Sequence, residues 1–83
     1  MTTALLDPDL LAEALFASDL QPSEHPGNAL VRDTVRAQVF HIGQVGCAAL
    51  VAQEFGEHPE AACRRMAWAR KAVLDAFVLE VAP

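Results

Sequence analysis

The sequence has little of what β-strands and disulfide scaffolds need. Tyrosine is absent, tryptophan occurs once, and no alternation of apolar and polar residues lasts long enough to make a strand. Two cysteines are too few for a disulfide framework, so we expect Cys47 and Cys63 to be reduced thiols that act as small hydrophobes. Apolar residues recur instead at spacings of three and four, which predicts an all-α protein.

Basic residues are also few. Six Lys and Arg stand against eleven Asp and Glu, and the net charge of −5 repels phosphate backbones and excludes a general nucleic-acid coat protein. The charges are unevenly distributed, because residues 1–42 carry six acids against two arginines, a net −4, whereas residues 61–74 carry four basic residues and no acid. One predicted helix is therefore locally basic.

A basic N-terminal region followed by an apolar run is missing. Charged residues also interrupt the longest apolar stretches. We therefore expect neither a secretion signal nor a membrane span, and a cytoplasmic location.

Signatures of catalysis and of metal binding are missing as well. The sequence has no glycine-rich phosphate loop and no nucleophile with a nearby base, so we predict no enzyme activity, no cofactor and no small-molecule substrate. The histidines and cysteines do not have zinc-site spacing, since His58 and Cys63 would lie about 140° apart around a helix. No metal site is predicted.

Alanine is abundant, with sixteen in 83 residues, and it favours helices that pack closely. A chain of this length buries only about 60–65% of its unfolded surface, so its core must be dense or shared with a partner. We predict a single helical domain over residues 1–83, made of about four helices.

The first two helices are separated by a proline-containing connector. Asp7 and Pro8 give a cap and a first helical residue, which predicts a helix over residues 7–18. Prolines break the pattern over residues 19–28, a segment that is an ordered connector or a mobile tether, and we expect it to fold back on the core. Asn28 begins a second helix that Gly43 and Gly46 end, and its buried stripe is predicted to be Val31, Val35, Val39 and Ile42.

The third helix, from Gln44 or Val45 to Phe55, has few polar residues on any side and is predicted to be the central helix. The last begins at Pro59 and reaches roughly Leu79. On a helical wheel its core-facing residues are Ala62, Met66, Ala69, Val73, Ala76 and Phe77. Beyond residue 73 this helix is apolar nearly all round, so the first helix or a second copy must cover it. We predict a homodimer whose interface contains Leu74, Phe77, Val78 and Leu79.

A second pattern joins the third and last helices. Ala52 is a small residue where two helices would touch, Gly56 follows four residues later at the turn, and Ala62 packs back from the last helix. The layout resembles the helix-turn-helix of small bacterial regulatory proteins over roughly residues 44–70, within a core of residues 28–81. An ordinary tight turn between bundle helices uses the same residue types.

The resemblance implies a small regulatory protein, transcription-associated in the simplest case, that works with the helix after Pro59. Its predicted macromolecule-binding residues are Arg64, Arg65, Trp68, Arg70 and Lys71. Arg65 and Arg70 have no acid four residues away, which makes them candidates for an external anion. The ligand is DNA or an acidic partner protein. The alternative is a purely structural helical oligomerisation module that binds no nucleic acid.

Overall fold

The structure is a computed structural model that describes residues 7–77. This part of the chain contains three α-helices: α1 (Pro8–Phe16), α2 (Asn28–Glu57) and α3 (Pro59–Phe77). A short 3-10 helix (Pro22–Glu24) lies between α1 and α2, and residues 7–77 contain no strand. The predicted all-α class is confirmed. The helix count is three and not about four, because the two segments predicted on either side of Gly43 form one element.

Gly43 interrupts α2, which consists of two helical segments joined by a kink at this residue. Its backbone dihedral angles of φ 72° and ψ 172° are not helical, and they lie in a region that is essentially reserved for glycine. Three residues later, a Cβ on Gly46 would lie 3.0 Å from the Cβ of Ile42, so this side of the bend also requires a small residue. The predicted break between two helical segments is therefore present as a kink at Gly43.

Side-chain hydrogen bonds cap both ends of helix α1. The Asp7 carboxylate accepts a hydrogen bond from the Asp9 amide at 2.9 Å, which confirms the predicted cap. At the other end the Ser18 hydroxyl donates to the Leu15 carbonyl at 2.6 Å and accepts from the Leu20 amide at 3.2 Å. Ser18 thus closes the helix and starts the connector.

The core is centred on α1. This helix supplies five of the twelve buried apolar residues in the described part of the chain and packs against both α2 and α3. Alanines at positions 12 and 14 are fully buried and allow the other helices to approach closely. The prediction that residues 44–55 form the central helix is wrong.

Residues 44–57 are packed on one side only. Cys47 is buried and Val51 and Phe55 are half-buried, whereas Val45 on the opposite side is 85% exposed. Two neighbouring helices, α1 and α3, are not enough to surround a third, so the apolar residues on its outer side face solvent. Ile42 is also 42% exposed, in contrast to the predicted stripe, because it packs along its own helix toward Gly46.

The inward face of α3 agrees with the helical wheel. Ala62, Ala69, Val73 and Ala76 are buried, and Met66 and Phe77 are half-buried against the core. The last turn of α3 is tied to the start of α2, since Asn28 donates to the Asp75 carbonyl at 3.3 Å and Arg32 donates to the Ala76 carbonyl at 3.0 Å.

The junction between α2 and α3 is tighter than a helix-turn-helix turn. His58 is the single residue between the two helices, and its amide donates to the Glu54 carbonyl at 2.7 Å. Gly56 is a helical residue of α2 and does not form the turn, and Ala52 is exposed and not buried between two helices. Of the three residues that carry the resemblance, only Ala62 is buried as predicted. The difference arises because α2 continues one residue past the glycine.

Among residues 7–77, α2 is the one helix long and apolar enough to cross a membrane, judged by length and composition alone. Only 17% of its most apolar window is buried. Helices of water-soluble proteins meet the same two criteria, so this finding decides nothing about location.

Candidate functional site

The five predicted binding residues of α3 occupy different environments. Arg64, Arg70 and Lys71 are exposed, whereas Arg65 is half-buried against α1 and Trp68 is half-buried against the core. The structure therefore separates them into an outward set and an inward pair. The inward pair has a role within the fold that the sequence did not indicate.

Arg65 binds the C-terminal end of α1. Its Nε donates to the Phe16 carbonyl at 2.9 Å, and its Nη2 donates to the carbonyls of Ser18 and Leu20, both at 2.9 Å. The last carbonyls of a helix have no partner within the helix, and α1 has no basic residue in its last turn. The guanidinium supplies both the missing donors and the positive charge that a helix C-terminus favours.

Two aromatic rings hold the same guanidinium. The Cζ of Arg65 lies 5.6 Å from the centroid of Phe16 and 5.1 Å from that of Trp68, which are cation–π distances. Phe16 in turn stacks on Phe55 of α2, with centroids 6.0 Å apart. Arg65 thus joins α1, the connector and α3, and we call Arg65, Phe16 and Trp68 the arginine clamp.

Burial lowers the pKa of Arg65, while the carboxylates of Asp19 and Glu54 act in the opposite direction. An arginine guanidinium stays charged at any pH that a folded protein tolerates, so the clamp holds a permanent positive charge. Its Nε and Nη2 donors already have partners in α1 and the connector. These two nitrogens are therefore occupied within the fold, a structural role that the sequence did not predict for Arg65.

Trp68 has a second environment beside the clamp. It lines an open cleft of about 220 Å³ between the connector, the start of α2 and α3. Lys71 lies in the same cleft and forms an ion pair with Asp75 at 3.3 Å. Trp68 and Lys71, both predicted as binding residues, therefore line one cleft, and the Asp75 carboxylate lies beside Lys71.

Arg64 and Arg70 form no ion pair with any residue from 7 to 77. In the described range the ion pairs are Asp33–Arg36 and Lys71–Asp75, and the intrahelical pair between Glu60 and Arg64 is not formed. On the helical wheel Arg64 and Lys71 lie within about 20° of one another, whereas Arg70 lies about 120° from Arg64. We call the side of α3 that contains Glu60, Arg64, Ala67, Lys71 and Leu74 the α3 outer face.

Of the four residues predicted to form the oligomer interface, the structure describes two, Leu74 and Phe77. Leu74 is 51% exposed on the α3 outer face, but Phe77 is half-buried against the core. Val78 and Leu79 lie outside the described residues. Among residues 7–77 the most exposed of the large apolar side chains are Phe40, 82% exposed, and Val45, on either side of the α2 kink. Sequence reasoning missed both.

The two thiols differ in environment. Cys47 is buried in the core, and burial raises the pKa of its thiol, with a smaller contribution from the Glu13 carboxylate. Cys63 is exposed on α3. Within residues 7–77 no three His, Cys, Asp or Glu side chains come together in a group that could hold a metal ion.

The chain matches no protein-family model, no curated protein and no solved structure. Its own surface chemistry is therefore the basis for a functional proposal.

Proposed function

We propose that this is a small regulatory protein of the cytoplasm that uses the α3 outer face to bind an acidic partner protein. The observation that carries the proposal is Arg64, an exposed arginine of this face that has no ion pair in the described part of the chain. Arg70, also exposed and without an ion pair among residues 7–77, lies beside the face, about 40° from Leu74. Trp68 lies at the edge of the same surface, and arginine and tryptophan are the residues most enriched among interface hot spots.

The charge pattern supports a protein partner over DNA. Arg64 and Lys71, the two cations aligned on this face, each have an acid about 40° away on the wheel. Glu60 precedes Arg64 by four residues, and Asp75 follows Lys71 by four. Arg65, the cation expected to be central in a groove, is held in the arginine clamp. The phosphate backbone of DNA would therefore face both acidic and basic side chains on this surface, in a chain whose net charge is −5.

A mixed surface suits a protein ligand better. Alternating charge fixes the orientation of a partner that carries the complementary pattern, and it discriminates against partners that do not. The transcriptional setting depends on the helix-turn-helix resemblance, and two of its three residues are placed differently in the structure. The proposal is therefore limited to regulation through protein binding.

Titration of a short random-sequence DNA duplex tests the choice of ligand. We expect fluorescence anisotropy to show binding no tighter than the non-specific range of about 10⁻⁴–10⁻⁶ M, with the Arg64→Ala and Arg70→Ala variants indistinguishable from the parent protein. Circular dichroism must first show that each variant is folded.

The opposite result is equally specific. Binding that is tight, and whose dependence on salt between about 50 and 200 mM falls by about one unit of slope for each arginine removed, would mean that these arginines contact phosphates. The proposal of a protein partner would then be wrong.

A further inference from the structure

The outer side of residues 44–57 is an apolar helix face that no part of the described chain covers. Five residues form it, and all five are exposed: Val45, Ala48, Ala49, Ala52 and Gly56. They fall within an arc of about 100° on the helical wheel. The packed residues Cys47 and Val51 lie more than about 100° from the centre of this arc, and Phe55 borders the arc beside Ala48. We call this arc the α2 outer face.

We propose that the α2 outer face binds the same face of a second copy, with the two helices antiparallel about a two-fold axis. The residues have a self-complementary order along the helix. Reversing the direction of one copy about a point between Leu50 and Val51 places Val45 opposite Gly56, and Ala49 opposite Ala52. The larger side chain at one end of the face then meets the glycine at the other end. Parallel pairing would leave a gap between the two glycines.

Charge selects the same orientation. The only charged residues from 44 to 57 are Glu54 and Glu57, at the C-terminal end. Both lie off the α2 outer face, about 130° or more from its centre on the wheel, so they do not enter the interface. Parallel helices would still place all four carboxylates at the same end of the pair, whereas antiparallel helices divide them between its two ends. The helix dipoles also oppose one another favourably in the antiparallel arrangement.

The composition of residues 44–57 makes a lipid surface an unfavourable binding partner for the α2 outer face. Helices that lie in a membrane interface have lysines and arginines along the polar side, and residues 44–57 contain neither. Small side chains along the face favour instead the close approach of another helix. A second copy is the occupant that fits these two features together.

The available area sets the expected affinity. Residues 44–57 span about 20 Å of helix, and the two Phe40 side chains, each 82% exposed, add roughly 300 Å² if the interface covers them. These areas place the dimer at the low end of specific interfaces, below about 1,200 Å² in total. We therefore expect reversible association in the micromolar range.

Sedimentation velocity of the full chain tests the association. From about 1 μM to several hundred micromolar, the weight-average mass is expected to rise from that of the monomer toward that of the dimer. Ala49→Glu places a charge at the centre of the face and is expected to keep the protein monomeric throughout. Ala29→Glu changes an equally exposed alanine twenty residues earlier on α2, and it should associate like the parent protein.

Leu74→Glu separates this interface from the one predicted from the sequence. We expect Leu74→Glu to leave association unchanged. If this variant were monomeric, the interface would lie on α3 instead. A parent protein that stays monomeric over the whole range would overturn the proposal. Co-sedimentation of such a monomer with phosphatidylglycerol vesicles would assign the face to lipid.

Disulfide trapping tests the orientation. In a Cys63→Ser background, an oxidised mixture of Val45→Cys and Gly56→Cys chains is expected to give mainly heterodimers, because those two positions meet in the antiparallel pair. Mass spectrometry distinguishes the products. Homodimers of each variant in place of heterodimers would show parallel pairing and contradict the proposed geometry.

Discussion

At the scale of single residues, two neighbouring arginines have different roles. Arg64 is exposed and has no ion pair among residues 7–77, whereas Arg65 donates to the carbonyls of Phe16, Ser18 and Leu20. Their local sequence contexts do not distinguish them in this way. The partners of Arg65 lie 45 to 50 residues away, so the absence of an acid four residues away suggested a free cation. Only the folded chain reveals the carbonyl acceptors.

Arg65→Ala is predicted to destabilise the protein by about 2–4 kcal/mol. It removes charge-assisted hydrogen bonds and two cation–π contacts, and it leaves carbonyls of α1 without donors. The loss is large for a domain of this size, whose total stability is on the order of 4–12 kcal/mol. Urea unfolding followed by circular dichroism measures the effect.

Arg64→Ala is the matched control and should change the unfolding free energy by no more than about 0.5 kcal/mol. Arg65→Lys keeps the charge but not the planar fork, so it should fall between the two. Equal stability of the two alanine variants would show that the arginine clamp does not hold α1 in place.

At the scale of helices, the wheel correctly predicted the core-facing side of α3 but misinterpreted residues 44–55. A helix that is apolar nearly all round looks the same in sequence whether its own chain or another molecule covers it. The all-α class, the cap at Asp7 and the stripe of α3 follow from local spacing and were predictable. The central position of α1 depends on how three helices share one core, which spacing within a helix does not encode.

The kink of α2 gives a prediction at this scale. Gly43→Ala is expected to destabilise the protein by about 1–3 kcal/mol, because alanine does not tolerate the observed positive φ. Gly56→Ala changes a helical glycine with no atom within 4 Å of the added Cβ, and should stabilise the protein by about 0.5–1 kcal/mol.

Thermal unfolding of both variants at low micromolar concentration, where self-association is weak, gives the comparison. If both substitutions stabilised the protein, the helix would be straight at Gly43 in solution. The placement of Phe40 relative to the α2 outer face would then change.

At the scale of the whole molecule, the three helices have different roles. Helix α1 lies in the core and is held by the arginine clamp, α2 presents an apolar outer face, and α3 presents a charged one. We propose that the apolar face joins two copies, which would double the number of α3 outer faces available to a partner. A dimer would then bind a partner with two sites more tightly than either face alone.

The α3 outer face as the contact surface for a protein is the central claim, and photocrosslinking inside the producing cells tests it most directly. A photoreactive residue at Ala67, exposed between Arg64 and Lys71 on this face, is predicted to give an adduct that protease removes and nuclease does not. Arg64→Glu should abolish that adduct, and a probe at Ala37, which is exposed on α2 and lies outside the α3 outer face, should give none. An Ala67 adduct sensitive to nuclease, or no adduct from Ala67 at all, would contradict the account.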